Sequence, residues 1–170
     1  MARYAGVIAL RGDAVALVRE SDVYHDGRHW SVPTGRVDDG ESDVVGAIRE
    51  LREETGLVVG SDQARLIAGV DVVGRDGSVL TTASNYVADD VVGPFAIDDP
   101  DGSVLEARWF PRAEAIELLR QVPYPPIAVP VVAYLTGSVP AGTRWVFTVP
   151  PDDLTGEPAD SGWTWRVGEP

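Results

Sequence analysis

The chain has no cysteine and no lysine, and only one methionine and two histidines among its 170 residues. Without cysteine, disulfides, thiolate metal sites and cysteine nucleophiles are excluded. Without lysine, all 14 basic side chains are arginines, and 27 acidic ones outweigh them to give a formal charge of −13. Nonspecific binding along a nucleic-acid backbone needs clustered positive charge, which this balance opposes. Long apolar runs are missing as well. Each is broken by Arg, Asp, Gly or Pro well short of the ~18 residues that a membrane span requires. The apolar part of Met1 to Leu10 is too brief for a signal peptide, and Arg11-Gly12-Asp13 after it reads as a turn. These features predict a soluble cytoplasmic protein that binds neither membrane nor long nucleic acid. They also pose a question: a phosphate-bearing substrate would have to be attracted by something other than surface charge.

What is present is an ordinary globular composition, with 44% apolar and 24% charged residues. That length and apolar content suffice for one domain with a real core and no staples. Tyr4 to Leu10 and Ala14 to Val18 read as a β-hairpin. Ser21 to His29 reads as a polar loop, and Trp30 to Val32 as a short strand ending at Pro33. Ser42 to Thr55 is the clearest helix. Val44, Ile48, Leu51 and Thr55 repeat at helical spacing, Ser42 suits the N-cap, Asp43 suits the positive helix start, and Gly56 suits the left-handed residue after the end. Ala64 to Arg75 and Ser78 to Val87 form a second hairpin around Asp76-Gly77. Val104 to Phe110 is a further strand. Pro111 opens a helix through Leu119, and a last helix from about Ile127 to Leu135 contains Pro130. Composition changes after residue 136. The domain expectation is therefore a core over 1–136 and an extension over 137–170, rich in Pro and Gly, that packs on it.

The segment Gly35 to Leu57 carries the chemistry. At about 100° per residue, Glu50, Glu53 and Glu54 share one arc of the helix, and Gly46 projects onto it one turn earlier. Like charges at these spacings destabilise a helix unless a cation offsets them. Three carboxylates suit Mg²⁺ or Mn²⁺; the alternative is a solvated acidic face. The flanking residues decide between the two. Gly35, Glu41, Arg49, Glu50, Leu51, Glu53, Glu54, Gly56 and Leu57 fit Gly-x5-Glu-x7-Arg-Glu-U-x-Glu-Glu-x-Gly-U, where U is aliphatic. This resembles the Nudix box of the Nudix hydrolases. Trp30-Ser-Val-Pro-Thr-Gly resembles the family's entry strand and turn, with Thr34 in place of a glycine. Val104 to Leu119 resembles its late strand and helix.

The resemblance implies an α/β fold, an α/β/α sandwich with a mixed central sheet. It also implies hydrolysis of a diphosphate bond, by water attack at phosphorus, in a nucleoside diphosphate linked to another moiety or in a nucleoside triphosphate. Carried over by position, Glu50, Glu53 and Glu54 are the metal ligands, and one of them or an acid elsewhere is the general base. Arg49 orients the glutamates, and Glu41 pairs with it or supports the loop. Thr34 offers a backbone carbonyl to the metal, and Glu106 is a further candidate ligand beside the alternative of an ordinary strand residue. Tyr24 and His25 are candidates for stacking on a nucleobase. A homodimer is compatible with the family. No family specificity marker stands out: Asp71-Val-Val-Gly lacks the proline of some ADP-ribose hydrolases, and Tyr86 lies beyond the tyrosine position of some dinucleoside polyphosphate hydrolases. The alternative function is a catalytically silent nucleotide sensor, although such proteins usually lose box carboxylates. Isoprenoid diphosphate isomerisation is excluded by the lack of cysteine.

Overall fold

A computed structural model describes residues 1–21, 26–151 and 162–168, with the backbone alone over 26–28. Tyr24 and His25 lie outside the described residues. The strands are β1 (Ala2–Arg11), β2 (Ala14–Ser21), β3 (Asp26–Ser31) and β4 (Thr34–Arg36), followed by helix α1 (Asp43–Thr55). Then come β5 (Arg65–Val73), β6 (Val79–Ala88), β7 (Val104–Pro111), α2 (Arg112–Leu119), α3 (Pro125–Leu135), β8 (Thr143–Thr148) and β9 (Thr164–Val167).

β1 organises the fold. It pairs in parallel with β6 from Ala2 to Ala9, antiparallel with β4, and antiparallel with β2 at its far end. β2 continues to β3 and β7, while β6 continues through β5 and β8 to β9. The sheet is mixed, because β5 and β8 are also parallel. β1 is buried on both faces from Ala5 to Leu10, which is why it reads as a continuous apolar run. Its alternate residues serve different cores. Ala5, Val7 and Ala9 join Ala47 and Leu51 of α1, whereas Ile8 and Leu10 join Ala115 and Leu119 of α2 and Val131 of α3. The helices thus cover opposite faces, giving the α/β/α layering. Among the described residues no helix is long and apolar enough to cross a membrane.

Two local readings of the sequence change. His29 lies in strand β3, because Trp30 and Asp26 pair with Arg19 and Ser21 of β2; cross-strand pairing overrides the polar composition. Thr34 lies in β4, opposite Gly6 of β1. A Cβ on Gly6 would overlap the Thr34 side chain, so the missing side chain at 6 makes room for the threonine at 34.

The segment after residue 136 contributes β8 and β9. Trp145 and Phe147 are buried with Val70 and Val72 of β5, and Trp163 packs on the same cluster. Asp71 of β5 receives a bidentate ion pair from Arg144 of β8, at 2.7 and 2.9 Å. Pro130 sits inside α3 and is buried.

Candidate active site

α1 places Gly46, Ala47, Leu51, Glu54 and Thr55 on its buried side. Glu54 is therefore not on a solvent face opposite the core, as the simple helical projection suggests. It lies on the core's edge, three residues from Leu51, and is only 5% exposed. Glu50 and Glu53 follow around the helix and are largely buried too. The helix start is fixed by Asp43, which accepts bonds from Arg3 at 2.6 Å and from Ser84 at 2.7 Å. Ser42 occupies the N-cap position without a side-chain cap.

Arg49 is the hub of the box. It donates to Glu41, Glu50 and Glu53 at 2.8–3.2 Å and to the Arg36 carbonyl at 2.8 Å. The Arg49 bond holds the Glu41 carboxyl below its ordinary range. Burial pushes the Glu50 carboxyl up, and Arg49 opposes this. Gly46 does not open a path for ligand. A Cβ there would lie 2.9 Å from Glu41 and 3.2 Å from Val37, so its absence lets Glu41 reach Arg49. Gly35 is different: a Cβ on it would fall on the Glu50 carboxylate, so the glycine leaves that carboxylate its place.

Glu54 accepts a bond from the Thr34 amide at 3.2 Å. Burial, then the charges of Glu20 and Glu50 and finally Asp99, push its carboxyl well above the ordinary range, against the Thr34 amide. Sequence reasoning missed Glu20 and Asp99, because neither belongs to a motif. Among the described residues no three acidic or imidazole groups form a ready-made metal cage, and Arg49 occupies Glu50 and Glu53 in their place. The donor set nevertheless suits a hard divalent cation. A buried carboxylate beside other carboxylates is disfavoured as an anion and is offset by a bound cation.

Glu106 is not brought to this group. It is ion-paired with Arg19 at 3.2 Å and with Arg108. Slight desolvation is outweighed by these two arginines, which hold its carboxyl low. Its cross-strand partner is Arg19, whose guanidinium lies over Trp30. Trp30 packs on the α2–α3 core and against Phe110, so Glu106 belongs to the face away from α1. Trp109, on the α1 side, packs against Phe95 and under Arg11.

The segment between β6 and β7 closes the far end of α1. The Ala96 amide donates to the Thr55 carbonyl at 2.9 Å, and the Asp98 amide to the Glu53 carbonyl at 2.8 Å. These are carbonyls that a helix end leaves without partners. Asp99 collects amides from Asp101, Ser103 and Val104 at 2.6–3.0 Å. A cleft of about 700 Å³ opens between this segment and α1, lined by Arg52, Glu53, Gly56, Ala96, Asp98 and Pro100. Gly56 has φ 78°, and a Cβ there would lie 2.6–2.9 Å from Ala96. Gly56→Ala should therefore cost about 1–3 kcal/mol through backbone strain and displacement of Ala96. Urea denaturation of the metal-free protein measures it.

A model of the NUDIX domain matches residues 1–130. This chain belongs to the Nudix family. Nudix hydrolase 5 of Arabidopsis thaliana is 26% identical over 114 residues, which are 66% of this chain and 36% of that protein. The asymmetrical bis(5′-nucleosyl)-tetraphosphatase of Mus musculus is 51% identical over 41 residues, 24% of this chain and 26% of its own. The chain spans between 26% and 36% of the length of these curated relatives. A mutator MutT protein from Bacillus halodurans superposes over 100% of both chains with a TM-score of 0.69 at 20% identity, a likeness of fold. The Nudix family and the sandwich implied by the box are thus both found.

Proposed function

We propose that this Nudix protein is a metal-dependent hydrolase that cleaves a diphosphate bond in a nucleoside diphosphate linked to another moiety, or in a nucleoside triphosphate. The observation that carries this reading is the complete set of box carboxylates around a buried Glu54, held by Arg49 and Thr34. A silent sensor has no need to keep that arrangement. Glu50, Glu53 and Glu54 would hold Mg²⁺ or Mn²⁺, with the Thr34 carbonyl as a further donor. When bound, the cation offsets the diphosphate's charge and acts as a Lewis acid.

The chain's own residues do the rest. Arg49 keeps Glu50 and Glu53 from repelling one another and fixes their directions. The Thr34 amide orients Glu54. One of these carboxylates, or an acid elsewhere, would take the proton from the attacking water as general base. The two named relatives are a Nudix hydrolase and a bis(5′-nucleosyl)-tetraphosphatase, which supports a nucleotide substrate. Tyr24 and His25 remain the proposed base-stacking residues. The proposed organisation is a hydrolase domain over 1–136 with 137–170 packed on it, working in the cytoplasm, and the homodimer is checked by sedimentation.

A panel of nucleoside di- and triphosphates, nucleotide sugars and dinucleoside polyphosphates, with Mg²⁺ or Mn²⁺, tests the function. Release of phosphate, diphosphate or nucleoside monophosphate is expected from at least one class. Tight binding of a nucleotide with no turnover of any would favour the sensor.

A further inference from the structure

Two buried polar side chains, on β4 and β6, have no part in the chemistry described so far. Strand alternation places them on one face of the sheet. Ile8 of β1 and Val87 of β6 pack in the α2–α3 core. Gly6 and Asn85, two residues before each, point to that same side and are partners in the parallel β1–β6 ladder. On its other flank Gly6 is the partner of Thr34 of β4. A Cβ on Gly6 would fall on the Thr34 hydroxyl, so that hydroxyl leans over β1 towards β6. Ala68 of β5, the partner of Asn85 on the far side, adds only a methyl group. Thr34, Gly6, Asn85 and Ala68 thus form one row across the sheet, and only Thr34 and Asn85 bring polar groups to it. Neither is satisfied. The Thr34 hydroxyl is buried with no hydrogen-bond partner. Asn85 is 5% exposed, and its carboxamide makes no hydrogen bond among the described residues. It stands between two apolar clusters, since Ile8 and Val87 belong to one and Ala68 and Ala83 to the other. One row further along the same face, Tyr4 is 38% exposed beside Ala83, so the row is approached from that side. The Thr34 amide meanwhile bonds Glu54. One residue therefore borders both the box carboxylates and the unpaired carboxamide.

We propose that Asn85 reads the edge of the substrate's nucleobase, with the Thr34 hydroxyl as a second contact, and so sets base preference. This rests on the nucleotide-hydrolase reading above and adds a specificity residue to it. Reading the edge is distinct from the stacking proposed for Tyr24 and His25. A buried carboxamide without partners is costly, and an apolar side chain of the same size would suit a place between two apolar clusters better. A base edge supplies what is missing. The carboxamide presents an acceptor beside donors, which can meet a donor beside an acceptor by two bonds at once, as with N6 and N7 of adenine. The hydroxyl over Gly6 both donates and accepts, so it can serve the next polar atom of that edge. Ala68 leaves no bulk on the other flank of Asn85. A site built on such bonds rejects a base lacking the matching group far more strongly than an apolar slot does.

Calorimetric titration of the full-length protein with Mg²⁺ tests this. The probes are the α,β-methylene analogues of ADP, GDP, CDP and UDP, which resist cleavage at that bridge, and methylenediphosphonate, which has no base. The parent should prefer one base over another at least about ten-fold. Asn85→Leu, of similar size, and Asn85→Ala, which adds no bulk, should bring the analogues to within about two-fold of one another. Both variants should bind methylenediphosphonate like the parent. Without ligand, Asn85→Leu should melt no lower than the parent, since an unpaired amide has been removed. Equal affinity of the parent for all bases, or an unchanged preference in both variants, overturns the proposal. So does a melting temperature well below the parent's in both variants together with weakened methylenediphosphonate binding, the mark of an amide that holds a buried water for the fold. Methylenediphosphonate binding with no base preference sinks the Asn85 proposal and leaves the hydrolase reading standing. If no probe binds and the substrate panel shows no turnover, the hydrolase reading fails and the Asn85 proposal with it.

Discussion

Glu54→Gln should lower metal-dependent turnover by at least about a hundred-fold and leave the metal-free protein as stable as the parent, or more so. The loss follows from removing an anionic oxygen where a hard cation and a general base are both needed. The stability follows from burial. Glu54 is nearly inaccessible, and its charge is disfavoured first by desolvation and then by Glu20 and Glu50. A neutral amide of the same shape escapes both. The effect has a pH signature. Because the native carboxyl of Glu54 titrates above its unfolded value, the native state keeps a proton that the unfolded chain has released. The contribution of Glu54 to the stability of the metal-free parent therefore falls as pH rises from the ordinary carboxylate range to the raised native value. Glu41 and Asp99 act in the opposite sense. Arg49 lowers the first, and amides from Val104, Asp101 and Ser103 outweigh burial to lower the second. Their stabilisation is present above the ordinary range and lost as pH falls through their native values. In urea denaturation with a chelator, Glu54→Gln and parent should coincide at acid pH and diverge in favour of the variant as pH rises. Coincidence at all pH values would show that Glu54 is not held in a costly charged state.

Arg49→Gln should have the larger effect on stability. The guanidinium makes bonds to three carboxylates and a carbonyl. Removing it leaves Glu41, Glu50 and Glu53 facing one another in partial burial. Breaking a buried pair costs up to about 3–5 kcal/mol. Since Arg49 keeps about a quarter of its side chain in water (23% exposed), about 2–3 kcal/mol is the fitting expectation. That lowers the melting temperature of a chain this size by roughly 5–10 °C. Arg49→Lys should recover little, because an ammonium cannot reproduce the planar fork that spans Glu41 on one side and Glu50 with Glu53 on the other. Added Mn²⁺ should recover part of the stability, since it can offset the same carboxylates. Thermal melts with and without metal read both effects.

The box and α1 were legible because their information is local. Helical spacing puts Glu50, Glu53 and Glu54 on one arc, and Gly56 marks the helix end whatever the remainder does. Glu54 was misplaced by the same reasoning. A helical projection gives directions but not the depth of the groove into which the helix sinks. Thr34 and His29 were read as turn and loop because their strand partners, Gly6 and the end of β2, are distant in sequence. Glu106 shows the limit most clearly. Nothing local separates it from a glutamate of the site. Its cross-strand pairing with Arg19 does, and that exists only once β2 and β7 have paired. The parallel pairing of β8 with β5 has no local signal at all.

The closure of α1 by Ala96 and Asp98 sets an order of assembly. The nine fixed positions of the box end at Leu57, but the last-turn carbonyls of their helix wait for amides some forty positions later. β1, against which that helix packs, likewise waits for β6. A growing chain that has emerged only through β5 therefore carries the whole box with its acidic helix unsupported at one end and its central strand unpaired on one side. Loop closure of this kind slows folding. The end of the acidic helix is closed only when the chain has passed residue 98, whereas the Arg49 network that gathers its carboxylates lies wholly within the box region.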